Sequence, residues 1–162
     1  MNLDPKFQAV LDRGINLTLN EELSKKIATD YSDLIKPFES YSNIGRLLTN
    51  SDFMSTYGNE RLEVLIGTVS VSTDRGVYRV LKNCFLIING SLVDPSSVKE
   101  NRFPDSISKY CFVKFIYPEE YIGLVKENNH LDAKEFAEFI EKDINYDIIG
   151  KFGVDLLFSL AE

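Results

Sequence analysis

Leu62-Glu63-Val64-Leu65-Ile66-Gly67-Thr68-Val69-Ser70-Val71-Ser72 is followed by the turn cluster Thr73-Asp74-Arg75-Gly76 and a second apolar run, Val77 to Ile88. Both runs are rich in Leu, Val and Ile, which pack well on a pleated surface, and the polar cluster between them predicts an antiparallel hairpin. In the second run both alternating sets carry large apolar groups: Tyr78, Val80, Cys84, Leu86 and Ile88 on one, Val77, Leu81, Phe85 and Ile87 on the other. Such a strand is covered on both faces or is central in its sheet. Asn89-Gly90 then signals a turn, Asp94-Pro95 the opening of a short helical turn, and Tyr110 to Tyr117 a third strand.

Outward from the hairpin the apolar period changes from two to three and four. Asp4-Pro5 sets a cap before a proline at the first helical position, Phe7, Val10 and Leu11 share a face, and Gly14 supplies the stop of a short helix. Thr18 and Glu21 have capping-box spacing, and Leu23, Ile27, Tyr31, Leu34 and Phe38 predict an amphipathic helix running to about Lys36. Pro37 lacks an N–H donor and separates it from a segment carrying Ile44, Leu47 and Leu48, after which residues 50–60 read as a connector. Toward the C-terminus, Pro118 with Glu119 and Glu120 opens a helix, the acids complementing its positive end. Asp132 and Glu135 mark the start of another, on which Phe136, Phe139 and Ile140 cluster opposite Lys134, Glu135, Glu138, Glu141 and Lys142. Gly150 and Gly153 weaken a last helix through Ile148, Ile149 and Phe152. The expected fold is α+β, with N-terminal helices, a central antiparallel sheet of three or more strands and C-terminal helices packed on the sheet. One globular domain spans residues 1–162, with no internal boundary or repeat.

A chain of 162 residues buries roughly two thirds of its unfolded surface, so no metal or disulfide staple is required. Hydrophobic residues at 44% and charged residues at 27% exclude a disordered or collagen-like chain. The longest apolar run, Cys84 to Ile88, and the tail run Leu156 to Phe158 fall far short of the ~20 residues of a membrane helix. The start Met1-Asn2-Leu3-Asp4-Pro5-Lys6 lacks the basic and apolar regions of a secretory signal, giving the expectation of a cytoplasmic protein. Cys84 and Cys111 both lie among apolar residues and are expected to be free thiols in that reducing compartment.

Charge is unevenly spread. Residues 1–60 carry 6 basic and 9 acidic side chains, residues 61–116 carry 8 and 5, and residues 117–162 carry 4 and 11, within a net charge of −7. A net negative chain is repelled by phosphate backbones and anionic lipids. The acidic last third would steer a basic protein partner or simply solvate helices.

No motif carries chemistry on its own. The single histidine, His130, excludes a His-rich metal cluster and an HExxH site, and leaves only a conceivable thiol–imidazole pair with Cys84 or Cys111. Asp30 with Asp33, and Glu138 with Glu141, are carboxylate pairs on predicted solvent faces. Pro104-Asp105 followed by Asp132-Ala133-Lys134 superficially resembles the acid-and-lysine pattern of metal-dependent nucleases, but Asp132 reads as a helix cap and the resemblance is rejected. GxGxxG, GxxxxGK[ST] and GxSxG are all absent. Arg75, Arg79, Lys82, Lys109 and Lys114, interspersed with Tyr78, Phe85, Tyr110 and Phe112, suggest either a basic aromatic face for single strands or strand-edge charges around interior rings.

What remains is binding. With 8 Tyr and 11 Phe, some aromatics are expected at the surface, where interfaces use them. The apolar tail Val154, Leu156, Leu157, Phe158 and Leu160 either packs on its own core or supplies a homodimer or partner contact. The expectation is a non-enzymatic protein-binding domain, an inhibitor or immunity-type antagonist. It would meet the basic surface of a larger enzyme through Glu135, Glu138, Glu141, Leu157 and Phe158, without cofactor, metal or membrane, and with nucleic acid disfavoured. The alternatives are a metal-dependent enzyme using convergent carboxylates and a structural subunit of a larger assembly.

Overall fold

The computed structural model describes residues 18–72, 78–101 and 107–144. Their elements are β1 (Thr18–Leu19), α1 (Glu21–Asp30), α2 (Ser40–Leu48), α3 (Ser51–Tyr57), β2 (Leu62–Ser72), β3 (Tyr78–Ile88), β4 (Ser91–Val93), α4 (Pro95–Lys99), β5 (Ile107–Ile116), α5 (Pro118–Glu127) and α6 (Ala133–Glu141). The strands form one sheet in the order β1-β4-β3-β2-β5, antiparallel throughout except that β1 runs parallel to β4.

The hairpin legible in the sequence is the centre of this sheet. β2 and β3 pair along their full length, from Leu62↔Ile88 to Ser72↔Tyr78, and β5 pairs with the other edge of β2. Having a strand on each side and apolar side chains on both faces, β2 is buried almost from end to end. At the far end of β3, Asn89 (φ 52) and Gly90 (φ 81) take left-handed conformations, the geometry of a two-residue hairpin turn, and return the chain into β4.

On one sheet face, Leu62, Val64, Ile66, Cys84, Leu86, Ile88, Val93 and Ile116 meet Tyr41, Ile44, Leu47 and Leu48 of α2, Phe53 of α3, Tyr121 of α5 and Phe136 and Ile140 of α6. Helix α2 lies centrally, against β3, α5 and α6. Its Gly45 permits the close approach of α5, because a Cβ there would sit 2.9 Å from Val125 Cγ2. The opposite face is also apolar and buried: Leu65, Val69, Val71, Phe85, Ile87, Leu92, Tyr110 and Phe115 lie outside that helix-side cluster.

The α+β architecture is the expected one, with C-terminal helices packed on the sheet. Several local expectations are corrected. The first described helix begins at the cap Asn20, whose side chain accepts from Leu23 N at 2.9 Å, while Thr18 belongs to β1. That helix ends at Asp30 and not near Lys36, because tertiary bonds claim the backbone of residues 34–36: Arg46 takes the Leu34 carbonyl and Asn43 takes both polar groups of Lys36. The supposed connector at 50–60 contains α3, capped by Asn50 on Phe53 N at 2.9 Å. The three-residue β4 gave no apolar run long enough to read. The expected helices at Asp4–Gly14 and around Ile148–Phe152 lie outside the described residues.

Candidate functional site

The segment between α1 and α2 is irregular yet tightly held. Asn43, fully buried, accepts from Lys36 N at 2.8 Å, donates to Lys36 O at 2.8 Å and donates to Ser96 Oγ at 3.0 Å. Arg46 donates to Leu34 O at 2.7 Å, to Asn43 Oδ1 at 2.6 Å and to Glu39 Oε1 at 3.1 Å. Glu100, just after α4, accepts from Phe38 N at 3.1 Å. Phe38 itself has φ 63 and is 70% exposed. A bulky residue in the left-handed region is a backbone outlier that costs roughly 1–3 kcal/mol and persists only where its surroundings impose it.

Two depressions flank Phe38. One, about 550 Å³, runs between Pro37, Phe38, Glu39 and Tyr41 on the loop side and Asp132, Ala133, Lys134 and Ala137 of the α6 start. The other, about 210 Å³, lies toward β3 and is lined by Ser40, Leu81, Lys82, Asn83 and Glu100. Ser40 Oγ accepts from Cys84 N at 3.1 Å beyond the end of β4, tying the start of α2 to β3. Val80, 65% exposed, is a second large apolar side chain on that strand.

Of the residues expected to meet a partner, Glu135, Glu138 and Glu141 all lie on α6, whose Asp132 cap accepts from Glu135 N at 2.8 Å. That cap agrees with the rejection of Asp132 as a nuclease acid. Glu135 and Glu138 are exposed, whereas Glu141 is half-buried and 3.7 Å from Lys82 Nζ. At 3.6 residues per turn Glu135 and Glu141 point roughly 120° apart, so they do not make one patch. Glu141 lies on the side of α6 that turns toward β3. Leu157 and Phe158 lie outside the described residues.

The other chemical candidates resolve as follows. Cys84 is a free, fully buried thiol, and burial pushes its pKa up to about 12, which removes it as a nucleophile. Cys84 on β3 and Cys111 on β5 are separated by β2, an interstrand distance of about 9–10 Å, too far for a disulfide. His130 is exposed in the turn before α6. Asp30, Asp33 and Asp52 line a shallow depression of about 260 Å³, where Asp30 is bound to Lys26 at 2.7 Å and Asp52 accepts from Tyr31 Oη at 2.9 Å. Among the described residues no three His, Cys, Asp or Glu side chains are grouped to hold a metal ion. The strand aromatics Phe85 and Tyr110 are buried against each other, edge to face, so they do not join Lys82 in a basic aromatic surface.

One buried acid stands out. Asp94, fully buried, caps α4 through Ser97 N, accepts from Tyr110 Oη at 2.8 Å, and its own N–H donates to Ser24 Oγ at 3.0 Å. Burial raises its pKa against the lowering effect of those donors. It ties β4 and α4 to α1 and β5, and its enclosure makes it a structural group.

Compared with protein-family models, curated proteins and solved structures, the chain matches none of them. Among the described residues no helix is long and apolar enough to cross a membrane. Phe38 is the surface residue that sequence reasoning missed. It fits the apolar stripe Leu23, Ile27, Tyr31 and Leu34 by spacing, but Pro37 immediately before it is the signal that the stripe no longer applies.

Proposed function

We propose that this chain is a non-enzymatic protein-binding domain, an inhibitor or immunity-type antagonist that occludes a larger enzyme bearing a basic surface. The observation that carries this reading is Phe38, a large aromatic side chain 70% exposed on a hydrogen-bonded, strained loop beside α6. Aromatic anchors on rigid backbone are what binding hot spots use, because little side-chain freedom is lost on docking. Glu39, Glu100 and Asp132 line the depressions beside it together with Lys82 and Lys134, and the net charge of −7 on the chain would accelerate encounter with a basic partner. The buried free thiol at Cys84 fits a reducing compartment, the cytoplasm.

The test is cross-linking capture from the source cell with mass spectrometry, followed by stopped-flow association with the captured partner. Its association rate is expected to fall as salt rises, and Glu135→Lys with Glu138→Lys to lower it several-fold with little change in dissociation. A rate indifferent to ionic strength removes steering. A partner held equally well by Phe38→Asn protein removes docking through this face.

A further inference from the structure

We propose that the recess between the start of α2 and β3 binds an uncharged carboxamide, supplied by a free small molecule or by the side chain of a glutamine or asparagine in a protein. The inference stands apart from the protein-binding reading, because it rests on unpaired donors and holds whichever source brings the amide.

Two buried side chains present donors to this space of about 210 Å³. Asn83 is 4% exposed; its Oδ1 accepts from Cys84 N at 3.0 Å, and among the described residues its NH2 group has no acceptor. Ser40 is 6% exposed; its Oγ accepts from the same Cys84 N at 3.1 Å, and its own O–H likewise has no acceptor among the described residues. Sharing one N–H brings the polar ends of the two side chains together. Glu63 Oε2 and Ser97 Oγ are also unpartnered but sealed in, whereas the Asn83 NH2 keeps contact with accessible space, and the recess is the space that Asn83 lines. A buried donor left unpaired is costly, so an acceptor oxygen within reach of both is favoured. The positive end of α2 adds to them: Glu39 at its cap makes no side-chain bond to the first turn, because its carboxylate is engaged by Arg46 at 3.1 Å.

Charge selects against ions. Lys82 and Glu100 both line the recess, and Lys82 is 3.7 Å from Glu141, so an anion meets opposition as well as attraction and enters a chain carrying −7. A cation would face two donors and a helix N-terminus. A neutral carboxamide suits all the groups present. Its carbonyl meets the Asn83 and Ser40 donors, and its NH2 meets the carboxylate of Glu100, which accepts from Phe38 N and, like any carboxylate, takes several bonds at once. Phe38 and Leu81 line the same space and give the adjoining carbon chain an apolar contact. The recess is smaller than the roughly 300–1,000 Å³ of sites for drug-sized ligands, which fits a group the size of one side chain.

The test is a titration of the nitrogen-labelled full chain with propionamide, read in proton–nitrogen correlation spectra, with propionate and propylammonium as matched controls. The NH2 pair of Asn83 and the backbone amides of Ser40 and Cys84 are expected to shift and saturate with propionamide alone. Asn83→Asp keeps an acceptor for Cys84 N and removes the NH2 donor, and should weaken binding by at least about fivefold. Leu81→Trp, which fills the recess from its apolar wall, should do the same without touching either donor, and keeps the test decisive if Asn83→Asp does not fold. A capped tripeptide with glutamine at its centre then tells the source: tighter binding than propionamide assigns the recess to a protein side chain, and equal or weaker binding assigns it to a free amide. No shift at Asn83 at the highest soluble propionamide concentration overturns the proposal. So does propionate or propylammonium bound as tightly as propionamide, or equal propionamide affinity in the parent and Leu81→Trp.

Discussion

The two faces of the sheet bury similar apolar side chains and differ in how they treat the polar atoms among them. Under the helices, the Tyr121 hydroxyl donates to the Tyr41 carbonyl at 2.7 Å and accepts a weak bond from Cys84 Sγ at 3.8 Å, a chain of neutral groups ending on backbone. From the opposite face the Tyr110 hydroxyl ends on the carboxyl of Asp94. The buried tyrosine of that side is thus held by neutral bonds, whose strength does not follow pH. The other contains a group that must either stay protonated or carry charge without water.

The largest effect tests whether both faces are packed alike. Phe53→Ala beneath the helices and Phe85→Ala on the other face, both fully buried, should each cost about 3–5 kcal/mol in urea denaturation. A loss below about 1 kcal/mol at Phe85 would show that the second face is not close-packed.

The paired tyrosines sharpen the contrast at their hydroxyls. Tyr121→Phe removes a neutral bond and should cost about 1 kcal/mol at any pH from 5 to 8. Tyr110→Phe strips a donor from a buried carboxyl and should cost about 1.5–3 kcal/mol, more at the upper end of that range. Equal, pH-independent losses would erase the distinction between the faces.

Next comes the acid itself. Its folded pKa is raised by burial above the unfolded value, so the native state holds the proton more tightly than the unfolded chain does. The stabilisation from Asp94 is therefore complete at low pH and declines as pH rises from near 3.9 through the raised folded value. Asp94→Asn keeps one acceptor oxygen, puts an NH2 donor in place of the other so that the Tyr110 hydroxyl must turn to accept, and removes the charge; it should flatten that decline in denaturation curves taken from pH 4 to 8. Parallel slopes for parent and variant would mean that Asp94 ionises as easily folded as unfolded.

The smallest effect concerns Cys84. In a Cys111→Ser background, the native thiol should not react with a disulfide reagent at pH 8 on the timescale of the unfolded chain, because it is buried and its pKa lies near 12.

What the sequence disclosed follows from range. β2 and β3 were readable to within a residue, because eleven-residue β-branched runs and the Asn89-Gly90 turn are local signals. The Asp132 cap of α6 and the Asp94-Pro95 start of α4 were readable for the same reason. The end of α1 was not, since Asn43 and Arg46, up to a dozen positions away, decide where its backbone bonds stop. The candidate site was hidden by the same mechanism: Phe38 has a helical spacing but a loop conformation. Glu135, Glu138 and Glu141 could be assigned to one helix, while the Lys82 contact that divides them depends on how that helix crosses β3.

The two-residue strand β1 bears on the order of folding. Its parallel pairing, Thr18 with Ser91 and Leu19 with Leu92, joins positions about seventy residues apart, whereas the β2–β3 hairpin closes across a few. Loop closure of that span has a high entropic cost, set against two paired residues among the described ones, so it should be among the last contacts made and the first to open. Amide exchange at Asn20, whose N–H donates to Leu92 O at 2.8 Å, would then report local opening well before the hairpin amides exchange.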